Sequence, residues 1–369
     1  MNSSKVPLKR KIAQMFIVAT PPIKDQKKIF QIIKSYIDLG IGGLMIGIGG
    51  RFKFAQKEGI TDIKKLQKFV FKLKKLDQSL FLAIDGEGGY DFNLFENVVS
   101  LKPVREYGLQ FEKDRITKEF EKDVKNYIKI IRWCGVNMNF APVLDVAQQG
   151  YNGYMSKSGR SFSDKKKVVN KLSSIFIQEM QKNNIIAVGK HFPGYGSLDE
   201  NPHFHLRMQK SIVGFENNNL AKSTFSKAIK KDKIISIMKG HVLSFLDNKV
   251  PATLSPNIEN YLRQNLNFNG LSVTDELFMR ALSEYYNNKD KDGTKRIVEA
   301  AKCNDILLIS YPKEQDTSGR LKKLVRKHDH FQRLLNAVYD AVLKGQIPKQ
   351  KINESYERII KCKKLLNLV

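Results

Sequence analysis

The 369-residue sequence predicts an α/β fold, a (β/α)8 barrel of the TIM type folded as a single domain over residues 1–369. Three observations carry that expectation. Eight short apolar runs recur along the whole chain, amphipathic helical patterns lie between them, and no low-complexity or Pro/Gly-rich stretch marks a linker. An open doubly wound sheet is the alternative. The glycines between Gly40 and Gly50 invite a dinucleotide-loop reading, but they do not form GxGxxG ahead of a helix.

The expected strands are Met15–Ala19, Leu44–Ile46, Leu80–Ile84, Val136–Phe140, Ile185–Gly189, Ile234–Met238, Leu271–Thr274 and Ile306–Ile309. Each is short, continuous and largely apolar, as expected for parallel strands covered on both faces. Helical patterns follow over Asp62–Asp77, Phe111–Cys134, Asp164–Asn183, Asn217–Lys230, Pro256–Leu266, Arg296–Lys302, His328–Leu343 and Ile352–Leu366. In the first, Ile63, Leu66, Val70 and Leu73 share one face and lysines the other. The long second one ends at Gly135, a C-cap residue. Asn353 and Glu354 read as start signals for the last helix. Lys5, Lys9, Arg10 and Lys11 read as a solvated lead-in to the first strand.

Composition narrows the class further. No apolar run is long enough to span a membrane. Gln14 interrupts the apolar stretch Ile12–Thr20, and no small-x-small cleavage site follows, so a signal peptide is not expected. Cys134, Cys303 and Cys362 are an odd number without CxxC spacing, which fits a reducing, cytoplasmic setting rather than a disulfide framework. No Cys/His cluster has metal-site spacing, and neither a metal nor another cofactor is expected. The net charge of +27 favours anionic partners. Its lysines are spread over nearly every expected helix, so it reads as a lysine-rich solvated surface rather than a nucleic-acid footprint. Oligomeric state is not legible.

Five expected strands end in ionisable groups. Asp85 follows the third, in Ile84-Asp85-Gly86-Glu87-Gly88-Gly89, and Asp145 follows the fourth. Lys190 and His191 follow the fifth, on a Pro-Gly turn that runs to Gly196 and then to His203. His241 follows the sixth and Asp275 the seventh. Barrel chemistry gathers at the C-terminal strand ends, and ionisable groups are too costly near a core to scatter there at random. Taken singly, each has a structural alternative. Asp275 suits an N-cap, Asp85 a stabiliser of its glycine turn, Asp145 a loop anchor and His241 a packing residue. Glu87 and Glu276 are rival carboxylates.

Together these motifs resemble glycoside hydrolase family 3, and within it the single-domain β-N-acetylhexosaminidases. The ordered matches run from about Lys11 to the C-terminus. They include Ile84–Gly89, Gly135–Val146, Gly159-Arg160-Ser161-Phe162, Lys190–Gly196, Pro251–Pro256 and Phe268–Leu277. The resemblance implies a barrel and a retaining double displacement with Asp275 as nucleophile. Asp85, Arg160, Lys190 and His191 would bind the hydroxyls of an N-acetylglucosamine unit, and His203 would be the acid/base. It further implies N-acetylglucosamine-containing oligosaccharides or muropeptides as substrates, as in peptidoglycan recycling.

The chain departs from the family pattern at three points. Asn201 stands where an aspartate usually orients the histidine, with Asp199 or Glu200 as possible replacements and His205 as an alternative donor. Asn can fix the imidazole tautomer but cannot stabilise imidazolium by charge, a loss of roughly one to four powers of ten in related triads. Tyr195 replaces a usual histidine, and Tyr90 a usual arginine. The departures leave open a catalytically weakened sugar-binding relative. β-Glucosidase or β-xylosidase activity, and phosphate in place of water as acceptor, also remain open.

Overall fold

The structure, a computed structural model, describes residues 5–20, 26–46, 63–89, 101–148, 153–208, 223–310 and 330–369. Tyr90, Gly47–Gly50 and the segments 217–222 and 328–329 of two expected helices lie outside these residues. Ten strands are described. They are β1 (Phe16–Ala19), β2 (Gly43–Met45), β3 (Phe81–Ile84), β4 (Met138–Asn139), β5 (Ile186–Phe192), β6 (Arg207–Met208), β7 (Ser236–Lys239), β8 (Val242–Leu243), β9 (Leu271–Thr274) and β10 (Leu307–Ile309).

Eight of them form one parallel sheet in the order β10-β1-β2-β3-β4-β5-β7-β9. A parallel bridge from Val273 to Ile306, with Thr274 N–H donating to Ile306 O at 3.0 Å, joins the two ends. The sheet is therefore closed, and the open doubly wound alternative falls. The eight barrel strands are the eight expected ones, displaced by three residues at most. They are buried throughout because helices cover the outside and side chains fill the inside. β6 and β8 form a separate two-stranded pair at the mouth, which the sequence reading did not anticipate.

The helices follow the expected alternation with several corrections. Phe111–Cys134 is not one helix but two, Val104–Asp114 and Lys118–Trp133. Arg115 between them is left-handed (φ 63°), which ends the first helix within the charged run Glu112-Lys113-Asp114-Arg115. The last helix begins at Lys349, directly after Pro348, rather than near Asn353. Pro256–Leu266 divides into an α turn, Pro256–Asn260, and a wider π turn, Tyr261–Asn265.

The basic lead-in is itself a helix, Leu8–Gln14, packed against the helices His330–Leu343 and Lys349–Leu365 at the N-terminal end of the barrel. Lys11 is buried there and donates to Asn353 Oδ1 at 2.7 Å, so it is not solvated as expected. Among the described residues no helix is long and apolar enough to cross a membrane.

Candidate active site

The turn after β3 is held by the strand beside it. In β4 and the residue before it, the amides of Asn137 and Asn139 take over ladder positions. Asn137 accepts from Leu82 N–H (2.7 Å) and donates to Leu80 O (2.9 Å). Asn139 accepts from Gly86 N–H (2.8 Å) and donates to Gly86 O (3.0 Å). Asn137 thus holds β3 and Asn139 clamps Gly86, between the carboxylates Asp85 and Glu87. Gly86 must be glycine, since a Cβ there would lie 1.9 Å from the Tyr127 hydroxyl.

β5 runs on past the expected Gly189 and carries Lys190 and His191 as its last turns of pleat. Lys190 Nζ pairs with both Asp85 and Glu87. Arg160, brought in by the loop before the helix Lys166–Lys182, grips Glu87 with two 2.7 Å bonds from Nε and Nη2. Burial alone would raise Glu87, but Arg160 and Lys190 outweigh it and hold the carboxyl at about 2. Burial, with Glu87 adding repulsion, pushes Asp85 up to about 6 against the pull of Lys190. The Asp85 side chain is 17% exposed and that of Lys190 only 3%, so Asp85 is the member of this group that faces the mouth.

Asp145 anchors the next layer. Its Oδ2 receives His191 Nδ1–H at 2.8 Å and His191 N–H at 3.2 Å, and its Oδ1 receives Tyr195 N–H at 2.8 Å. The structural reading of Asp145 as a loop anchor therefore holds. The carboxylate fixes His191 as the Nδ1–H tautomer, which leaves Nε2 to accept from Arg160 Nη2 at 3.3 Å. Burial, then Arg160 and Lys190 beside it, keep the His191 ring well below its ordinary value and neutral. Asp145 itself is pushed up to about 7 by burial, against the hydrogen bonds it accepts.

The seventh barrel strand, β9, delivers Asp275. Its backbone N–H donates to Lys239 O (2.9 Å), its Oδ1 accepts from Glu276 N–H (2.8 Å), and its Oδ2 accepts from the Tyr195 hydroxyl (3.2 Å). The next helix begins only at Arg280 with Met279 before it, so Asp275 is not the N-cap that was its structural alternative. Glu276 points elsewhere. Its Oε1 accepts from Phe278 and Ser310 N–H, and burial pushes it up to about 7. His241 uses both ring nitrogens internally, with Nε2–H donating to Glu276 O (2.7 Å) and Nδ1 facing the Thr253 hydroxyl (2.9 Å). It is the packing residue that its sequence position also allowed.

His203 sits on the loop between β5 and β6, half-buried, with its ring 6.1 Å from that of Tyr154. Its positive form would repel His191, so the two rings are electrostatic neighbours. The side-chain oxygen of Asn201 accepts from His203 Nδ1–H at 2.6 Å and from His203 N–H at 3.0 Å. Both partners are donors, which fixes the orientation of the amide and assigns the ring as the Nδ1–H tautomer. Asp199 is exposed, and Glu200 pairs with Arg207. His205 lies against Glu284 at 3.7 Å.

The result is one continuous network over four strand ends, those of β3, β4, β5 and β9. It runs from Asp85 through Lys190, Glu87, Arg160, His191, Asp145 and Tyr195 to Asp275. Arg160 and His191, expected at the sugar, are engaged with Glu87 and Asp145 within it. Sequence reasoning missed the Glu87–Arg160 pair and the direct Tyr195–Asp275 contact. No signal in one sequence pairs Glu87 with a residue 73 positions away. Chemically, the arrangement offers a partly exposed carboxylate with both oxygens held, a buried charged floor, and an imidazole whose Nδ1 is fixed by Asn201.

Known proteins share this framework. A sequence profile of the glycosyl hydrolase family 3 N-terminal domain matches residues 7–362. The β-hexosaminidase of Methylobacillus flagellatus is 29% identical over 277 residues, 73% of this chain and 75% of that protein. Two solved structures share the barrel. The family 3 β-N-acetylglucosaminidase of a Paenibacillus species superimposes with a TM-score of 0.78 at 23% identity, covering 98% of this chain and 63% of its own. The β-N-acetylhexosaminidase of Beutenbergia cavernae superimposes with a TM-score of 0.76 at 19% identity, covering 98% and 99%. The chain thus spans under two thirds of the Paenibacillus protein and nearly all of the Beutenbergia one. Since the matched profile extends over almost the whole barrel, the chain belongs to glycosyl hydrolase family 3, in the part of it that forms the N-terminal domain.

Proposed function

We propose that this barrel is a retaining β-N-acetylhexosaminidase that releases terminal N-acetylglucosamine. Asp275 is the nucleophile and His203 the acid/base. The observation that carries the reading is the Asp275 carboxylate, held by Tyr195 and Glu276 at one end of a network whose other end, Asp85–Lys190, opens to the mouth. The β-hexosaminidase name of the Methylobacillus relative, and of others similar to this chain at 26–28% identity, supports the same substrate class.

In the first step an Asp275 oxygen bonds to the anomeric carbon as the glycosidic C–O bond breaks, and the leaving oxygen takes the proton from His203 Nε2. In the second, water attacks the same carbon. Nε2 takes its proton, and Asp275 departs as carboxylate. Asp85 and Lys190, with Arg160 and His191 behind them, receive the sugar hydroxyls through charge-assisted hydrogen bonds. Muropeptide fragments in the cytoplasm are the substrates that we propose. Their carboxylates suit a chain of charge +27.

A chromogenic β-N-acetylglucosaminide tests the activity. Turnover that is lost in D275A, with a glycosyl adduct on Asp275 after treatment with a 5-fluoro N-acetylglucosaminyl fluoride, is the expected result. No turnover by folded protein between about pH 5 and 8, the range in which an imidazole changes charge, would refute it. Asn201 motivates a second reading, a sugar-binding relative with little turnover. That reading predicts N-acetylglucosamine binding by calorimetry without hydrolysis.

A further inference from the structure

We infer that the phenol of Tyr195 is a catalytic hydrogen-bond donor, built to hold the carboxylate of Asp275 as it leaves the sugar. The inference rests on Asp275 being the nucleophile, as proposed above. The Tyr195 hydroxyl lies between two fixed groups. The backbone N–H of His241 donates to it at 2.5 Å, and it donates to Asp275 Oδ2 at 3.2 Å. An N–H on the oxygen lone pair leaves the phenolic proton one direction, toward Oδ2, and polarises the O–H bond.

The ring that carries this proton is locked. It is fully buried and stacks on His191 with centroids 4.4 Å apart and planes 25° apart. Its backbone N–H is tied to Asp145 Oδ1. Gly240 leaves the ring its space, because a Cβ there would come within 2.5–2.6 Å of the Tyr195 ring carbons and hydroxyl. Gly196, one residue on, packs its backbone against Val146, where a Cβ would be 1.8 Å from the carbonyl oxygen. Such restraint holds a donor in place without reorganisation at the moment charge develops.

The other carboxylate oxygen, Oδ1, is held by Glu276 N–H. A donor on Oδ2 stabilises the free carboxylate more than the neutral glycosyl ester. It therefore favours the second step, in which the ester bond breaks and Asp275 regains its charge. Removing one preorganised donor of this kind costs about 100–1,000-fold where its bond is short. At 3.2 Å the expected loss is smaller, about tenfold. The groups that face Asp275 and the phenol are Glu276, His241, His191 and Asp145, and all remain in the variants below.

The test uses the full chain and the chromogenic β-N-acetylglucosaminide. Y195F is expected to lower kcat about tenfold and to lower KM with it, because the glycosyl-enzyme accumulates. Reactivation of the 5-fluoroglycosyl adduct slows by a similar factor, and the acid limb of kcat/KM moves to higher pH. Incorporation of 3-fluorotyrosine at position 195 keeps the ring and strengthens the donor. It is expected to speed reactivation and move the acid limb the other way, which a merely structural role would not do. It also carries the test if Y195F does not fold. Wild-type reactivation rates and an unmoved acid limb in both variants, with the adduct mapped to Asp275, would overturn this inference and leave the proposed function standing. An adduct on any other residue would overturn both.

Discussion

Asn201→Asp is the most informative single change, because it alters charge and little else at a contact already made. The Asn201 oxygen sits 2.6 Å from His203 Nδ1 and 3.0 Å from its backbone nitrogen, so an aspartate fits the same two bonds. A unit charge about 4 Å from the imidazolium is worth about 4 kcal/mol at an effective dielectric near 20. His203 is half-buried, and screening at such sites reduces ion pairs to about 1–2 kcal/mol. That favours the protonated ring by about one pH unit and corresponds to roughly a 5- to 30-fold gain in the step that protonates the leaving oxygen. Steady-state assay from pH 5 to 9 reads both effects. kcat/KM rises by that factor at neutral pH, and the basic limb moves up by about one unit. A variant that folds yet shows a rate within twofold of wild type, with its basic limb unmoved, would refute the reasoning. His203 would then not be the proton donor, or Asn201 not its partner.

Three further outcomes follow from the charged groups. The Asp85 carboxyl gains its proton as pH falls through about 6, so KM rises below that pH, whereas D85N has a high KM that is flat across the same range in initial-rate assays. E87Q leaves Arg160 and Lys190 without their shared carboxylate and destabilises the fold by about 3–5 kcal/mol in urea titrations. Its sign with pH is fixed as well. Glu87 is held near 2 against an ordinary 4.5, so its contribution is complete above about pH 4.5 and is lost as pH falls toward 2, and the difference between wild type and E87Q shrinks over that window. Lys363, fully buried over the Phe81 ring and donating to Gln14 Oε1, is brought down by burial to about 7 from 10.5. The folded form sheds its proton before the unfolded one does, so wild-type stability climbs from about pH 7 to 10.5. K363M is then about 3 kcal/mol more stable than wild type at pH 7 and nearly equal at pH 10.

The barrel was legible because its strands need no partner information to be recognised. A run such as Ile306–Ile309 is apolar on both faces wherever it lies, and its burial on both faces is what the closed sheet supplies. The strand ends were legible for the opposite reason: Asp85, Lys190 and Asp275 stand out as charges directly after such runs. The errors lie where local pattern and three-dimensional context diverge. The four charged residues Glu112-Lys113-Asp114-Arg115 suit an exposed helix face as well as a turn, yet the backbone turns left-handed at Arg115. Lys11 looks like a solvated lysine in sequence but is covered by the last helix, whose Asn353 supplies its acceptor. The helix that begins at Lys349 takes its start from Pro348, and the cap signals at Asn353 and Glu354 fall inside it.

At the site, individual residues could be read but their pairings could not. Arg160, Lys190 and His191 are the residue types that bind hydroxyls, and nothing in their order along the chain says that Glu87 and Asp145 already engage them. The pairings change what each residue can contribute. With Arg160 bonded to Glu87, and His191 held between Asp145 and Arg160, the proposed reading gives these side chains the position and charge of a floor beneath the sugar. In the proposed reading Asp85, with its side chain at the opening, and Asp275, with both oxygens held, are the groups whose carboxylates meet the sugar. The division has a physical cause. A buried ion pair is stable only when each member satisfies the other, so groups deep in the mouth must pair with one another. Only those at its edge retain capacity for a ligand. The glycine at position 240 belongs to the same arrangement, since without it the Tyr195 ring could not reach between His241 and Asp275.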